Sequence, residues 1–351
     1  MTQRVGPILV LLLFALGCLK GLGQTESSLV PLRTIDDTQI ESFHLNANGF
    51  GEIAGDQAFY VEATPRRYLA IDLDRQTHPA LDLDMIPATD VMSPKDLYLV
   101  DVAPDPRGGV LGTVSWSETP TKSRTGVVRF DRDGDYEGLV WLDTDLTVTH
   151  AVAFSSSGNF LVVGYDDHWK IKVALFDFRG FLLNPAVLTY GGVADSTSKS
   201  AAGQPSPAME HAMIEVGTIR IASAADDSVY LLNVQRGRKI LRVQSNGKVT
   251  EMKLVGVNQN TLPMELVVSP SYLYLGEAIL DKGQTMATGG ELKRFSISVY
   301  DRSDGTLNAS YEVKGVSGAS FVAASPRDFY FLGTKVPPGG AINFSLIRAE
   351  P

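Results

Sequence analysis

Cysteine is nearly absent: the 351-residue chain has one, Cys18. That excludes an intramolecular disulfide and every cysteine-rich metal site. Charge is sparse, 20% of residues, and it is not basic: 31 Lys and Arg stand against 40 Asp and Glu, a formal net charge of −9. A nucleic-acid binder shows a basic footprint, so nucleic acid is excluded as a general partner. The five histidines, His44, His78, His150, His168 and His211, are scattered, and there is no H-E-x-x-H and no C-x-x-C. Gly315-Val316-Ser317-Gly318 lacks the strand–turn–helix setting of a nucleophile elbow. Hydrophobic residues, by contrast, make up 44% of the chain, with 33 Gly and 18 Pro. That is too apolar for a disordered chain, rich in turns, and long enough to bury a large core without staples.

Residues 1–23 read as a secretory signal. Arg4 supplies the positive start, Val5 to Leu16 the apolar stretch, and Lys20 interrupts it. This stretch is shorter than the roughly 20 residues that cross a bilayer. Two processing routes are open. Ala15-Leu16-Gly17-Cys18 resembles a bacterial lipoprotein lipobox, with alanine where leucine is usual, and would place a lipid on Cys18. Gly21-Leu22-Gly23 offers an ordinary small-x-small cleavage site. Either route gives an extracytoplasmic protein (secreted, periplasmic or lipid-anchored to the envelope), with no thiol chemistry in the folded domain and no membrane contact beyond such an anchor.

Residues 24–351 read as one repeat-built domain. A strand, a tight polar turn and a second strand recur six times, at Phe43–Gly55, Val102–Val114, Val152–Gly164, Arg220–Leu232, Leu266–Gly276 and Phe321–Gly333. A second such pair follows each copy, at Tyr68–Leu83, Val127–Leu142, Val173–Leu188, Ile240–Leu254 and Ile297–Val313, and a sixth, Ala341–Pro351, ends after one strand. Turn residues sit in the middle and β-branched and aromatic residues flank them. The unit is about 55 residues long. The fold class expected is all-β: a six-bladed β-propeller of four-stranded antiparallel blades (strands a to d), closed by an N-terminal strand that completes the last blade. Ser27–Ile35 is the expected closing strand. A pair of β-sandwiches is the rival architecture, and it does not predict six matched units with one displaced strand.

Ala151–Gly180 (AVAFSSSGNFLVVGYDDHWKIKVALFDFRG) resembles a WD40-type blade, with its apolar strand, polar-Gly turn, Asp pair and closing Phe-Asp. No blade carries the Gly-His or Trp-Asp signature, and the repeat exceeds the WD40 period of about 40–45 residues. The whole is more similar to six-bladed NHL or TolB-like propellers. That resemblance implies a fold and little about function.

In such a ring the a–b and c–d turns share one face and the b–c and d–a connections the other. The long connections, including Asp84–Lys95, Trp116–Gly126, Glu277–Arg294 and the small-residue-rich loop at 190–212, all fall on the second face. The six b–c windows carry twelve cations and six acids, whereas the chain after residue 23 carries 29 cations and 40 acids. Candidate ligand-binding residues are therefore Arg66, Arg67, Trp116, Lys122, Arg124, Asp166, Asp167, His168, Trp169, Lys170, Arg236 and Arg238. They point to an acidic protein or an anionic polysaccharide as partner of a monomeric binding or scaffold propeller. The alternative is a secreted hydrolase, lactonase or sugar dehydrogenase with a metal in the central channel, for which the inner strands offer Asp101, His150, Glu215 and Glu265. No cofactor or metal is expected. A calcium ion at Asp131, Asp133, Asp135 and Glu137 is the one candidate, and the spacing there reads more simply as turn chemistry.

Overall fold

A computed structural model of the chain describes residues 32–35, 40–45, 52–54, 58–64, 66–72, 77–88, 90, 94–119, 122–190, 207–256, 261–279, 295–316, 319–325, 327–335 and 343–351. Two strands come first, β1 (Leu32–Ile35) and β2 (Ile40–Leu45). Blade 1 is β3 (Glu52–Ala54), β4 (Ala58–Thr64), β5 (Arg67–Asp72) and β6 (Thr77–Asp82). Blade 2 is β7 (Leu97–Pro104), β8 (Val110–Thr119), β9 (Lys122–Phe130) and β10 (Tyr136–Trp141). Blade 3 is β11 (Thr147–Ala153), β12 (Phe160–Tyr165), β13 (Ile171–Phe176) and β14 (Leu182–Tyr190). The helix α1 (Pro207–Gly217) leads into blade 4, which is β15 (Ile219–Ala224), β16 (Ser228–Asn233), β17 (Ile240–Gln244) and β18 (Val249–Met252). Blade 5 is β19 (Thr261–Val268), β20 (Tyr272–Ile279), β21 (Phe295–Asp301) and β22 (Leu307–Val313). Blade 6 is β23 (Ala319–Ala324), β24 (Phe329–Lys335) and β25 (Asn343–Ala349), completed by β2.

The six sheets form a ring. Contacts between first strands run β3–β7–β11–β15–β19–β23 and back to β3, so the a strands surround the axis. The ring is closed as expected by an N-terminal strand, but not by Ser27–Ile35. β2 is the strand that pairs antiparallel with β25, from Ile40 opposite Ala349 to Leu45 opposite Phe344. β1 instead lies parallel on β22 and makes blade 5 five-stranded. The reason is connectivity: every d strand leads into the a strand of the next blade, and β2 is the strand that leads into β3. Phe43–Gly55 is therefore a crossing between blades 6 and 1, and the a–b pair of blade 1 is β3 and β4. A polar turn between two apolar strands looks the same in sequence whether it stays within a blade or joins two. Trp116–Gly126 is likewise no long loop: β8 and β9 extend as a hairpin until Thr119 opposes Lys122.

The core lies between blades. Among the described residues, apolar clusters join consecutive blades, such as Leu111, Val127, Ala151, Phe160, Val162 and Phe176 between blades 2 and 3, and Ile35, Tyr274, Val299, Phe321 and Phe331 between blades 5 and 6. The strands hold these residues on both faces, which is why they read as continuous apolar runs.

The a–b and c–d turns are stitched by repeated devices. An a–b turn aspartate meets a c-strand arginine in blades 2, 4 and 6: Asp105–Arg129 at 2.6 Å, Asp226–Arg242 at 2.8 Å and Asp328–Arg348 at 2.8 Å. In blades 2 to 5 the c–d turn carries a glycine with positive φ: Gly134, Gly180, Gly247 and Gly305. At Gly180 (φ +91) and Gly305 (φ +77) an added Cβ would lie 2.1 Å from the carbonyl oxygens of Trp141 and Lys253 of the preceding blade. Only glycine fits that approach and that backbone.

Candidate functional site

Three of the four charged groups facing the ring axis are placed by β-bulges. In blades 2, 3 and 5 one extra residue (Val100, Thr149, Met264) breaks the a–b register, and the next residue is Asp101, His150 or Glu265. A bulge re-aims the side chains that follow it. Blade 6 has the same bulge followed by Ala323, and blade 4 has none, with Arg220 opposite Leu232.

The four charged groups form two bridges between neighbouring blades. His150 Nδ1 lies 2.9 Å from Asp101 Oδ2, and its Nε2 lies 3.3 Å from the Val216 carbonyl on α1. Arg220 Nε donates to Glu265 Oε2 at 2.8 Å, and its Nη1 to the Gly217 carbonyl at 3.0 Å. All four side chains are 22–31% exposed. Burial alone would depress the His150 pKa, but the hydrogen bond and charge of Asp101, with the Val216 carbonyl, outweigh it and raise it. Acceptors on both ring nitrogens suit an imidazolium. Glu265 is raised by burial, with Arg220 holding it down in part. Beside this quartet, burial raises Glu62, and Tyr68 is pushed up by burial and by the charges of Glu62 and Asp101.

The quartet is charge-balanced, a cation for each carboxylate. Among the described residues no three His, Cys, Asp or Glu side chains come close enough to hold a metal ion. Asp101 is committed to His150, Glu265 has a guanidinium at 2.8 Å, and Glu215 faces Asn233 and Arg236 away from them. A metal in the channel does not fit these residues. At the other candidate position, the Asp131 carboxylate accepts the backbone N–H groups of Asp133 and Asp135, both at 2.9 Å, and so caps its own turn.

The b–c and d–a side carries the remaining candidates, and many serve as ties. Arg66 donates to Asp84 at 3.0 Å and to the Leu97 carbonyl at 2.9 Å, fastening the b–c turn of blade 1 to the connection into blade 2. Arg67 lies 3.9 Å from Asp82. Arg236 reaches the buried Glu215 of α1 at 2.7 Å. Arg238 reaches the fully buried Glu277 at 3.0 Å and bonds to the Thr261 carbonyl and hydroxyl. Asp166 accepts from His168 and Lys170 backbone N–H groups, pairs with Lys172 at 2.9 Å, and is lowered despite partial burial by those bonds. Trp169 adopts φ 59° and packs on Tyr165 at 5.2 Å.

Several candidates point outward. Asp167 and His168 are exposed, 3.7 Å from one another, and Lys170 is exposed beside them. Arg124 is exposed and stacks on Trp141 at 4.8 Å, and Trp141 in turn packs on Trp116 at 6.2 Å. Arg236 stacks on Tyr190 at 5.0 Å. The Lys122 side chain and Cys18 lie outside the described residues, as do 191–206 of the expected loop at 190–212. The end of that loop is α1, favoured by Pro207 in its first turn and by alanine, methionine and glutamate within it. No helix of the described residues is long and apolar enough to cross a membrane.

No family model and no curated protein matches the chain. Solved structures similar to it include a gluconolactonase from Xanthomonas campestris, 11% identical over 93% of this chain and 96% of that one with a TM-score of 0.43. An oligogalacturonate lyase in complex with manganese is 11% identical over 86% and 77%, with a TM-score of 0.44. A protein assigned as TolB from Agrobacterium tumefaciens is 14% identical over 89% and 98%, with a TM-score of 0.45. These are likenesses of fold.

Proposed function

We propose that this chain is an exported binding propeller that presents its b–c and d–a side to an acidic partner, an anionic glycan or an acidic protein patch. One observation carries the reading: on the rim of blades 2 and 3, the Arg124 guanidinium lies over the Trp141 ring at 4.8 Å and the exposed Lys170 follows in the next blade. An arginine stacked on an aromatic ring is pre-set to offer its edge to a carboxylate or sulfate. The ties made by Arg66, Arg236 and Arg238 hold the surrounding connections still, which lowers the ordering cost of binding. Titration with alginate, a uronate polymer, at low salt tests this. Binding is expected, with a loss of tenfold or more in Arg124→Glu/Lys170→Glu. Equal affinity in that variant would contradict it.

Catalysis in the channel is the second reading, favoured by the Asp101–His150 pair, which orients an imidazole as acid–base groups are oriented. Because the residues do not fit a metal, it predicts metal-independent turnover that His150→Gln abolishes.

A further inference from the structure

The c–d turn of blade 3 departs from its equivalents in a single respect. Its frame is the common one: Asp177 accepts from the N–H groups of Arg179 and Phe181, both at 2.9 Å, and Gly180 accepts from the Asp143 N–H at 2.9 Å. The outward positions differ. Where blades 2, 4 and 5 carry Arg132, Ser245 and Arg302, blade 3 has Phe178. Where they carry Asp135, Lys248 and Thr306 it has Phe181, and where they carry Glu137, Thr250 and Asn308 it has Leu183. Phe178, Phe181, Leu182 and Leu183 are 41–57% exposed, and the Arg179 guanidinium spans both phenyl rings at 5.4 and 5.5 Å. The turn is held rigid and still displays four large apolar side chains to solvent.

The course of the chain points to what covers them. β1 runs parallel to β22, away from the c–d turn that precedes it, so Leu32, the first described residue, is its end nearer the a–b and c–d side. The residues ahead of it in sequence include the apolar stretch from Val5 to Leu16 and Cys18. An attachment of the N-terminus to an envelope membrane would bring this side, and the blade 3 turn with it, nearest the lipid. The four side chains expose on the order of 400 Å², about half of what each partner of a stable dimer buries. A second copy is therefore poorly matched to the patch, whereas a lipid–water interface needs no complementary shape.

We infer that the tip Phe178–Leu183 seats in the interfacial layer of a phospholipid bilayer, with the phenyl and leucyl groups inserted and Arg179 at the headgroups. Aspartates share this side, among them Asp133 and Asp135, so insertion is apolar in origin and insensitive to salt. The turn adjoins the rim, since Gly180 abuts the Trp141 carbonyl, and the two modes are told apart by salt: seating in lipid is insensitive to it, whereas binding of the acidic partner is salt-sensitive.

The test is sedimentation with phosphatidylcholine vesicles, using the full chain and a chain beginning at Gln24, which retains β1, β2 and all six blades. Both are expected to partition onto the vesicles at low and high salt. Phe178→Ser/Phe181→Ser is expected to lower partitioning of the Gln24 chain tenfold or more with an unchanged melting temperature. The inference is overturned if the Gln24 chain stays in solution at millimolar lipid, or if the variant partitions equally. It is also overturned if the unmodified protein is a dimer that the variant dissolves, since the patch then belongs to a second copy. None of these results bears on alginate binding.

Discussion

The two sides of the ring are tied by opposite rules. On the a–b and c–d side one solution recurs: an aspartate to a c-strand arginine in blades 2, 4 and 6, and a turn glycine pressed on the preceding blade. On the b–c and d–a side no side-chain tie repeats among the described residues. Arg66 meets Asp84, Arg236 meets Glu215 on α1, and Arg238 meets Glu277 in the next blade. Repetition marks scaffold, a device reused from blade to blade. A contact made once marks where a blade has been adapted, and the binding proposal rests on that side. The apolar turn of blade 3 is the exception on the regular side, which is why it invites a separate explanation.

The largest effect that would sharpen the contrast is expected at a repeated tie. Asp105→Ala leaves Arg129 largely buried without its counter-charge and should cost about 3 kcal/mol in denaturant unfolding, because breaking a buried pair strands the remaining charge. Gly180→Ala comes next, at about 2–3 kcal/mol, from a strained backbone and a Cβ that meets the Trp141 carbonyl at 2.1 Å. In the channel the effect is a pH dependence. The folded His150 pKa is raised above 6.5, so its stabilisation is fully present below about pH 6.5 and is lost as pH rises through the folded value. Melting temperature should fall across that window in the native chain, and His150→Gln should flatten the fall. The smallest effect belongs to a surface tie: Asp84, with a side chain 70% exposed, should cost under about 1 kcal/mol when changed to alanine. If Asp84→Ala rivals Asp105→Ala, the division of the two sides into scaffold and adaptation is wrong.

Most of the fold was legible in sequence because each strand pair buries both faces and each turn declares itself with Asp, Gly, Ser or Pro. What misled was local sameness. The crossing between β2 and β3 reads like a hairpin turn, so the closing strand was placed at Ser27–Ile35 when it is Ile40–Leu45. The channel was half legible. Asp101, His150, Glu215 and Glu265 stand out as polar residues near the a strands, but their pairing depends on bulges that alternation hides, since one extra residue reverses which side chains face the axis. Arg220 was missed for another reason, since blade 4 has no bulge: it reads as an ordinary strand-flanking cation, although its place at the head of β15 was a usable signal. The rim cations were legible as charge. Their partners were not, because Asp84, Glu215 and Glu277 reach them from other elements.

The claim that the non-repeating side is the one that binds is tested most directly by alginate affinity across a salt series, measured on the native chain, Arg124→Glu/Lys170→Glu and Phe178→Ser/Phe181→Ser. The account predicts that affinity falls as salt rises, that the rim variant binds weakly with a flattened salt dependence, and that the turn variant overlays the native chain. Salt-independent binding, or a rim variant that overlays the native chain, would contradict it.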